Sequence, residues 1–562
     1  MDGFRKSRIG TNYILGMMKD MELTKENSEL NQSKAAKIAL LLVLGSAFIH
    51  VAYLLFFCPL CLAPDEAHYF DWSRHLDWSY YSKGPLVAWM IRAGLEVFGP
   101  LSLAISGSEM PAVRIPAVFC GTLLLWGSYV LAQKVFQKPK ISIGVLIIAI
   151  SLPPISAASS IMTIDAPFTC AWIWSLIFGY MAIFESKNYA WIPLGFTIGI
   201  GILAKYTMVL WIASLVCFFL FSSSYRQYLF HRGPWVMGAI AAFCCLPILI
   251  WNIQNGWVSF HHVSALAGLH DGPKYKWYGP LVYIGQQFGL LLGYWFVVWA
   301  TAMWRFRPTV DKDPKINYLW WMSAGTFLVF LAFSPKTGGG EINWPVTSYL
   351  SGLMLVGYYI YIVAKEDNRF LKIAAKVLPA TFVTLGLLLS LCIHRSEIIR
   401  PLLSAFTGPA SQQNPFPLRK LDPTCRLRGW DQLGKEVDKI LASIRASDGV
   451  DPILFGGSWN VPGELGFYCK GHPQAYSIGL ANGDRHSQYD LWTNPIDHPE
   501  KFLGKNFLVV GIVSPEAQKA FEEVVELPSF LYKENGNPIG IWYFHYCKGF
   551  KGFEKHAGGR NF

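Results

Sequence analysis

The residues best placed to do chemistry lie together between Asp65 and Trp72, close behind an apolar run from Ile38 to Phe57. That run is long enough to cross a bilayer, so these acids sit at the membrane surface. Desolvation there raises the pKa of a carboxyl group and makes it a better proton acceptor at neutral pH. The stretch is therefore a candidate for general-base chemistry, carried by Asp65 or Glu66.

A short helix must present these side chains. Pro64 is favoured in the first turn of a helix and Asp65 is a good starting residue, which predicts a helix over 65–75. At helical spacings of three and four, one face of that helix carries Asp65, His68, Tyr69 and Trp72. The alternative is that Asp65 only caps the helix and that Glu66 is solvated.

Two lysines add positive charge near the acids. Lys83 follows two tyrosines and a serine and precedes Gly84-Pro85, a pattern that favours an ordered turn. Lys205 interrupts an apolar run, and a charge at that depth is by default a functional-site hypothesis. A lysine ammonium is a compact cation that suits phosphate oxygens, so both lysines are candidate phosphate ligands. For Lys83 the alternative is a side chain that snorkels to the membrane surface.

Two later segments carry further polar residues. Asp165 directly precedes Ala166-Pro167, which predicts a capping position at the start of a helix. Three consecutive glycines indicate a mobile loop, and they are followed by Glu341, Asn343 and Trp344.

The composition is that of a polytopic membrane protein. Of 562 residues, 52% are hydrophobic and 15% are charged, and the mean hydropathy is +0.31. The stretch 190–221 would be one long tilted helix or two short helices broken at Lys205. With two helices there, the pattern predicts eleven apolar spans, at 36–57, 110–133, 142–158, 166–184, 190–204, 206–221, 235–253, 280–303, 317–334, 345–364 and 373–394.

Loop charges predict the orientation. With the N-terminus inside, thirteen Lys and Arg fall in cytoplasmic loops and seven in outer loops, as the positive-inside rule requires. We therefore predict a cytoplasmic tail over 1–34, a transmembrane domain over 35–394 and a C-terminal domain outside the cytoplasm over 395–562. The acids then lie in the first outer loop, 58–109.

The net charge of +11 follows the same division. Residues 395–562 hold 19 Lys and Arg against 18 Asp and Glu, so nearly all of the excess lies in the first 394 residues. Orientation signals explain such an excess better than phosphate-backbone binding does. No nucleic-acid partner is expected.

After His394 the composition becomes that of a soluble domain. Alternating helix and strand patterns predict a small α/β domain there. Helices are predicted over 430–446, 462–469 and 515–527, and strands over 452–455, 474–478, 506–513 and 539–546.

Several motifs follow one another along the chain. They are Asp65-Glu66-Ala67-His68-Tyr69, Leu76-Asp77-Trp78-Ser79-Tyr80-Tyr81-Ser82-Lys83-Gly84-Pro85-Leu86, Met162-Thr163-Ile164-Asp165-Ala166-Pro167, Ala204-Lys205-Tyr206-Thr207, Ile250-Trp251-Asn252-Ile253-Gln254-Asn255-Gly256-Trp257 and Ile342-Asn343-Trp344-Pro345. In this order the motifs resemble those of the C-type membrane glycosyltransferases, in the protein-mannosyltransferase-like and lipid A aminoarabinose transferase-like branch. Two further motifs in the tail, Asp422 to Trp430 and Gln488 to Trp492, resemble those of a subset of bacterial members of this family.

The resemblance implies a fold and a reaction. The fold would be a polytopic α-helical membrane domain of about eleven transmembrane helices with a small C-terminal soluble α/β domain. These enzymes move a sugar from a polyprenyl-phosphate carrier to an acceptor outside the cytoplasm. The resemblance therefore implies a bacterial inner-membrane protein with a periplasmic C-terminal domain and a lipid A-type or other envelope acceptor. The alternative acceptor is a protein, as in O-mannosyl transfer.

The same resemblance assigns roles to residues. Asp65 would be the base, Glu66 would support it, and Asp165 would orient the acceptor or hold Asp65. The donor phosphate would be bound by Lys83, Lys205 and Tyr81. A groove for the sugar or its carrier would be lined by His68, Tyr69, Trp72, Glu341, Asn343 and Trp344. Many relatives carry His or another basic residue near Glu341, so the identity of the sugar does not follow.

Two other classes compete with this interpretation. A transporter of lipid-linked sugars would more often show paired repeats and helices broken near the midplane, whereas these acids cluster in outer loops. A non-catalytic assembly subunit would be expected to lack Asp65 or Asp165, and both are present.

Cofactors are weakly indicated. Cys58 and Cys61 form a C-x-x-C that a disulfide, a metal site or chance would explain. Because there is no second such pair and no paired-His spacing, no metal ligand is assigned. A requirement for a divalent metal stays open, and the sequence gives no oligomeric state.

Overall fold

The computed structural model describes residues 30–268, 272 and 275–553. Most of the predicted tail over 1–34 lies outside the described residues. The same holds for Lys274, one of the seven cations assigned to outer loops.

The part of the chain before residue 395 is helical. Its helices are α1 (Leu30–Phe57), α2 (Pro64–Arg74), α3 (Leu86–Ser106), α4 (Met110–Phe136), α5 (Pro139–Ser151), α6 (Pro153–Ala158), α7 (Asp165–Phe184), α8 (Trp191–Ala204), α9 (Val209–Phe221), α10 (Arg232–Cys244), α11 (Leu246–Gln254), α12 (Val258–Leu266), α13 (Gly279–Leu290), α14 (Tyr294–Arg305), α15 (Pro314–Thr337), α16 (Ser348–Val363) and α17 (Arg369–His394). Short 3-10 turns lie at Asn188–Ala190, Tyr206–Met208 and Ser223–Phe230.

Length and composition identify the helices that can cross a membrane. Within the described residues six helices qualify, or eight if the bent pairs α10–α11 and α13–α14 each form one span. Four further apolar stretches, around α5, α8, α9 and α16, are shorter. Each of the eleven predicted spans coincides with a helix or with two consecutive helices. The helical membrane fold is thereby confirmed, while the number eleven stays a prediction.

The stretch 190–221 is two helices, as the second interpretation of the sequence held. α8 ends at Ala204, and Lys205 has extended backbone angles of φ −149° and ψ 124°. The break allows the Lys205 side chain to leave the helical line and reach an acid on α7.

Helix α3 was not predicted. The sequence left Leu86–Ser106 within the outer loop 58–109, but the segment is a helix that passes the same length and composition test as the membrane spans. Its apolar run is interrupted by Arg92 and Glu96, which the helical spacing pairs with each other at 2.6 Å on an exposed face. Ion pairing of residues i and i+4 stabilises a helix, so these two charges are compatible with a helix in this otherwise apolar segment.

The C-terminal domain combines a sheet with helices. Helices α18 (Arg400–Thr407), α19 (Trp430–Asp448), α20 (Pro462–Tyr468) and α21 (Pro515–Gln518) are joined by 3-10 turns at Ser396–Ile398, Pro417–Lys420, Pro423–Leu427, Leu480–Asn482, Gln488–Asp490 and Pro499–Lys501. The strands are β1 (Ile453–Gly456), β2 (Tyr476–Ser477), β3 (Phe507–Val510), β4 (Glu523–Glu534) and β5 (Asn537–Lys548). Their order is β2-β1-β3-β5-β4, with β1 parallel to β2 and β3, and β5 antiparallel to β3 and β4. The predicted small α/β domain is thus present.

One element of that domain was predicted wrongly. The helix expected over 515–527 ends at Gln518, and the chain re-enters the sheet as β4 from Glu523. Val524 and Val525 pair with Cys547 and Tyr546 of β5. β-branched residues favour a strand, and the two-residue Asn535-Gly536 turn that joins β4 to β5 is a local hairpin signal that the sequence interpretation overlooked.

Candidate active site

Helix α2 carries the acids, as predicted, over Pro64–Arg74. Its first turn is closed by Glu66, whose Oε2 accepts a hydrogen bond from the Ala63 N–H at 2.8 Å. Asp65 makes no side-chain hydrogen bond or ion pair with any described residue. The capping role proposed as an alternative for Asp65 is therefore filled by its neighbour.

The Asp65 carboxylate is accessible, and the space around it, which the charges of Lys83, Asp165 and Arg485 reach, is called the recess below. Desolvation by the surrounding protein nevertheless raises the pKa of Asp65 above the usual carboxyl value. The positive charges of Lys83 and Arg485 oppose this rise in pKa, and the negative charges of Glu66 and Asp165 add to it. The result is an accessible carboxyl group with increased affinity for a proton.

Lys83 faces the same recess. Burial is the main reason that its pKa falls to about 8; nearby Lys205 lowers it further, while Asp65 and Asp165 raise it. In the described part of the chain its ammonium group has no carboxylate within ion-pair distance. The backbone is fixed where the Tyr80 N–H donates to the Lys83 carbonyl at 3.2 Å. A cation is thereby held next to acids without being neutralised by direct contact.

Gly84 sets the approach of this turn to α8. A Cβ added at Gly84 would lie 2.1 Å from the carbonyl oxygen of Leu203, closer than any real contact. The absence of a side chain lets the Lys83 turn pack directly on the end of α8, two residues before Lys205.

Asp165 and Lys205 form an ion pair. The Lys205 Nζ lies 2.8 Å from Asp165 Oδ1, and Asn343 Nδ2 donates to Asp165 Oδ2 at 2.6 Å. The Lys205 ammonium also lies 5.4 Å from the ring centre of Phe168. Three of the predicted residues, separated by 40 and 138 positions along the chain, are thus brought to one point.

Glu66 is buried and fully bonded. Arg114 of α4 donates to both of its oxygens, from Nε at 3.0 Å and from Nη2 at 2.7 Å. The N–H of Met162 donates to Oε1 at 2.7 Å, and neither charged side chain is more than 1% exposed. Glu66 therefore ties together α2, α4 and the segment before α7. Both oxygens of Glu66 already accept hydrogen bonds from the protein, so they are not available to accept a proton from a substrate.

The C-terminal domain closes one side of the site. α20 packs on α2, where a Cβ on Gly463 would lie 2.5 Å from the Ala67 backbone. Tyr489 Oη donates to Asp71 at 2.9 Å, and Arg74 Nη2 donates to the His472 carbonyl at 2.9 Å. The domain is thus fixed to α2 by direct contacts.

Tyr81, predicted to bind the donor phosphate, joins the two domains. Its N–H donates to Gln488 Oε1 at 2.7 Å, and its ring lies 4.7 Å from that of His262. Its hydroxyl is buried and has no hydrogen-bond partner among the described residues. Burial raises the pKa of Tyr81 to about 12, so the hydroxyl stays protonated and can donate.

The predicted groove residues of α2 are packed inside. Tyr69 and Trp72 are buried, and Trp72 stacks on Tyr80 with ring centres 4.3 Å apart. His68 contacts the rings of Trp72, Trp459 and Tyr489, and burial lowers its pKa to about 3, which keeps it neutral. Their role in a sugar or carrier groove stays a prediction.

The other groove residues lie in the loop after α15. Asn343 reaches Asp165, whereas the ring of Trp344 packs against Phe330 with centres 5.6 Å apart. Glu341 is exposed and makes no side-chain hydrogen bond with a described residue. Gly338, Gly339 and Gly340 all adopt positive φ, which supports the predicted loop.

Sequence reasoning missed three contributors to the site. Arg114 could have been found, because a lone arginine in an apolar span calls for a partner. Glu464 of α20 is 1% exposed, has no hydrogen-bond partner for either oxygen among the described residues, and has a pKa raised well above the usual value by burial. Arg485 gave no signal in the sequence. Its place depends on how the domains pack.

The metal predictions remain untested. Among the described residues no group of three or more His, Cys, Asp or Glu side chains is arranged to hold a metal ion. Cys58 and Cys61 are free thiols; Arg114 Nη1 donates to Cys58 Sγ at 3.4 Å, and Cys61 Sγ lies 3.5 Å from Asp431.

Comparison with known proteins supports the fold and the motifs. Residues 82–251 match the family model described as dolichyl-phosphate-mannose-protein mannosyltransferase. The chain is 26% identical to the lipid A galacturonosyltransferase RgtD of Rhizobium johnstonii over 58% of its own length and 65% of that protein. It is 27% identical to the undecaprenyl phosphate-alpha-4-amino-4-deoxy-L-arabinose arabinosyl transferase of Pseudomonas aeruginosa over 33% of its length and 35% of that protein. The chain thus spans less than two thirds of each of these relatives.

Solved structures match over a greater length. The apo structure of ArnT from Cupriavidus metallidurans superimposes with a TM-score of 0.56 at 15% identity, covering 91% of this chain and 98% of ArnT. The undecaprenyl phosphate-bound ArnT structure gives a TM-score of 0.54 at 16% identity, covering 90% and 97%. The chain therefore has the fold of the C-type membrane glycosyltransferases. The resemblance inferred from its motifs is confirmed, its similar proteins include lipid A sugar transferases, and it is a multi-pass membrane protein.

Proposed function

We propose that this protein transfers a sugar from a polyprenyl-phosphate carrier to a lipid A-type acceptor on the outer side of the bacterial inner membrane. One observation carries the proposal: the accessible Asp65 carboxylate and the Lys83 ammonium, which pairs with no described carboxylate, lie at one recess beside the Asp165–Lys205 ion pair. The relatives named for lipid A transfer and for undecaprenyl phosphate support this substrate class.

The proton acceptor in this reaction is Asp65. It takes the proton of the acceptor hydroxyl as that oxygen forms a bond to the anomeric carbon of the sugar. The bond from the anomeric carbon to the carrier phosphate breaks at the same centre, and its electron pair leaves with the phosphate. Because phosphate is a good leaving group, no general acid is needed. The raised pKa of Asp65 suits it to this proton transfer.

The leaving phosphate is held by cations. Within the part of the chain that the structure describes, Lys83 has no carboxylate in direct contact, so its ammonium group can bind phosphate oxygens. Lys205 is held at a fixed position by Asp165 and adds positive charge to the same recess. The Tyr81 hydroxyl is protonated and has no partner among the described residues, so it can donate a further hydrogen bond.

The two remaining acids act by positioning. Asp165 fixes Lys205 and Asn343, which favours a role in organising the phosphate site beside the predicted role in orienting the acceptor. Glu66 fixes the start of α2 and therefore the direction of Asp65.

Reconstitution tests the proposal directly. Purified protein in detergent is supplied with radiolabelled undecaprenyl-phosphate sugars and with lipid A, and lipid products are separated from protein products. Label in lipid A supports the proposal. Label only in a peptide acceptor would favour O-glycosyl transfer to proteins, and carrier movement without transfer would favour a transporter. Runs with and without a chelator test metal dependence.

The Lys83→Ala variant should use the donor poorly. Loss of a charge-assisted hydrogen bond to phosphate is worth about 1.5–3 kcal/mol, which corresponds to an apparent donor affinity about 10- to 150-fold weaker. Lysine 439, exposed and paired with Glu436 at 2.8 Å, provides the matched control Lys439→Ala. A folded Lys83→Ala protein with unchanged donor affinity would contradict the phosphate role.

The pH dependence of the same step follows from the pKa of Lys83. With a lowered pKa of about 8, the free enzyme loses the ammonium charge as pH rises through that value. We therefore expect kcat/KM for the donor to fall above about pH 8. In Lys83→Ala this fall of kcat/KM at high pH should disappear. If the same fall persists unchanged in the variant, it reports the titration of a group other than Lys83.

The C-terminal domain should lie in the periplasm. This orientation rests on the loop-charge bias of thirteen to seven. A reporter active only in the cytoplasm, fused after Phe562, should be silent, and a periplasm-specific reporter at the same position should be active. The reverse pair of results would contradict the orientation.

A further inference from the structure

The C-terminal domain directs one more cation to the site. Arg485 stacks on Trp459, with its guanidinium carbon 4.2 Å from the ring centre. One carboxylate fixes both residues: Asp484 accepts the N–H of Trp459 at 3.2 Å and the N–H of Arg485 at 2.8 Å. Trp459 in turn contacts His68, one turn along α2 from Asp65, with ring centres 5.7 Å apart. Arg485 is thus held beside the recess by its contact with the ring of Trp459 and by the hydrogen bond of its N–H to Asp484.

The guanidinium group of Arg485 has no counter-ion among the residues that the structure describes. Among the described residues it forms no ion pair and no side-chain hydrogen bond, although its side chain is exposed. Its positive charge nevertheless reaches the site, since it lowers the pKa of Asp65 and of Lys83.

The three cations of the recess are held in different ways. Lys205 is paired with Asp165, and Lys83 is fixed in the turn before Gly84 and is assigned to the carrier phosphate. Arg485 comes from the C-terminal domain, is exposed and forms no ion pair with a described residue, so it can bind a second anion. An arginine fork is suited to bidentate binding of a carboxylate or a phosphate.

We propose that Arg485 binds an anionic group of the substrates other than the carrier phosphate, and so determines which substrate pair is used. This inference rests on the proposed sugar transfer. Two sources can supply the anion: the carboxylate of a uronic acid on the donor, or a phosphate on the lipid acceptor. A neutral or cationic sugar offered to an unphosphorylated acceptor would leave Arg485 without a ligand.

Matched substrates separate the two sources. Donor pairs are undecaprenyl-phosphate galacturonic acid and undecaprenyl-phosphate galactose, and acceptor pairs are lipid A with and without its phosphates. For Arg485→Gln we expect kcat/KM to fall at least tenfold with the substrate of a pair that carries the recognised anion. With the substrate of the same pair that lacks this anion, kcat/KM should fall less than threefold. Where a member is not turned over, its inhibition constant replaces kcat/KM. Arg485→Lys should fall between the two.

The chain supplies a control with a similar arginine–ring contact. The guanidinium carbon of Arg419, a partly buried residue of the same domain, lies 3.6 Å from the ring centre of Phe416, and among the described residues Arg419 does not contact the acids of α2. Arg419→Gln should leave all four activities within threefold of the parent. If Arg485→Gln behaves like this control, or if it lowers the activity on charged and neutral members equally, the inference is wrong while the proposed function stands. If the parent protein transfers sugar from no carrier, the proposed function fails and the inference fails with it.

Discussion

Replacing Asp65 by Asn should reduce turnover by about a hundred- to ten-thousand-fold, the range of a general base. The substitution keeps the size of the side chain and removes its ability to accept a proton. Donor binding should be largely kept, because Lys83 and Lys205 are unchanged. Radiolabelled donor and lipid A with the purified variant measure turnover, and binding of undecaprenyl phosphate measures the donor site.

Folding should be spared in this variant. Glu66, and not Asp65, closes the first turn of α2, and Asp65 bonds to no described side chain. The melting temperature in detergent should therefore match that of the parent. Asp451→Asn, at an exposed aspartate, is the matched control for the chemical change, and it should retain full turnover.

The pH profile gives a second test of Asp65. A base must lose its proton before it can act, so activity should rise as pH passes through the pKa of Asp65. Since burial raises that pKa, the rise should lie above the ordinary carboxyl range of about 4. Asp65→Asn should abolish it. Turnover within about threefold of the parent, far from the general-base range, would exclude Asp65 and pass the candidacy to Asp165.

Replacing Glu66 by Gln should damage folding first. The change leaves the Arg114 guanidinium, 1% exposed, without its negative partner. Breaking a buried pair by removing one charge costs about 3–5 kcal/mol of stability. We expect a lower melting temperature in detergent and a poor yield, with a loss of turnover that follows the loss of folded protein.

A second substitution separates folding from catalysis. In Glu66→Gln with Arg114→Gln both charges are removed, so the double variant should be more stable than the sum of the single effects by about 0.5–3 kcal/mol. Turnover per folded molecule should remain measurable in it. A Glu66→Gln protein with the melting temperature of the parent and no turnover would instead make Glu66 a catalytic acid.

The difference between these two neighbours shows how far local sequence reaches. Asp65 and Glu66 are adjacent acids in one helical turn, and the sequence predicted that helix and its place at the membrane surface. The family resemblance assigned the base to Asp65, but local patterns could not divide the roles of the two acids. The division is made by Arg114, 48 positions away, which donates to both oxygens of Glu66, whereas no described side chain bonds to Asp65.

The sequence by itself determined the membrane half, most helices, the break at Lys205 and the soluble α/β domain. Each follows from hydrophobic periodicity, Pro and Gly positions or a charge in an apolar run, all of which act within a few residues. Tertiary structure alone decided the pairing of Asp165 with Lys205 and Asn343, and the position of Arg485 beside the recess. Those outcomes depend on contacts between segments 40 to about 400 positions apart, which packing fixes and local patterns do not encode.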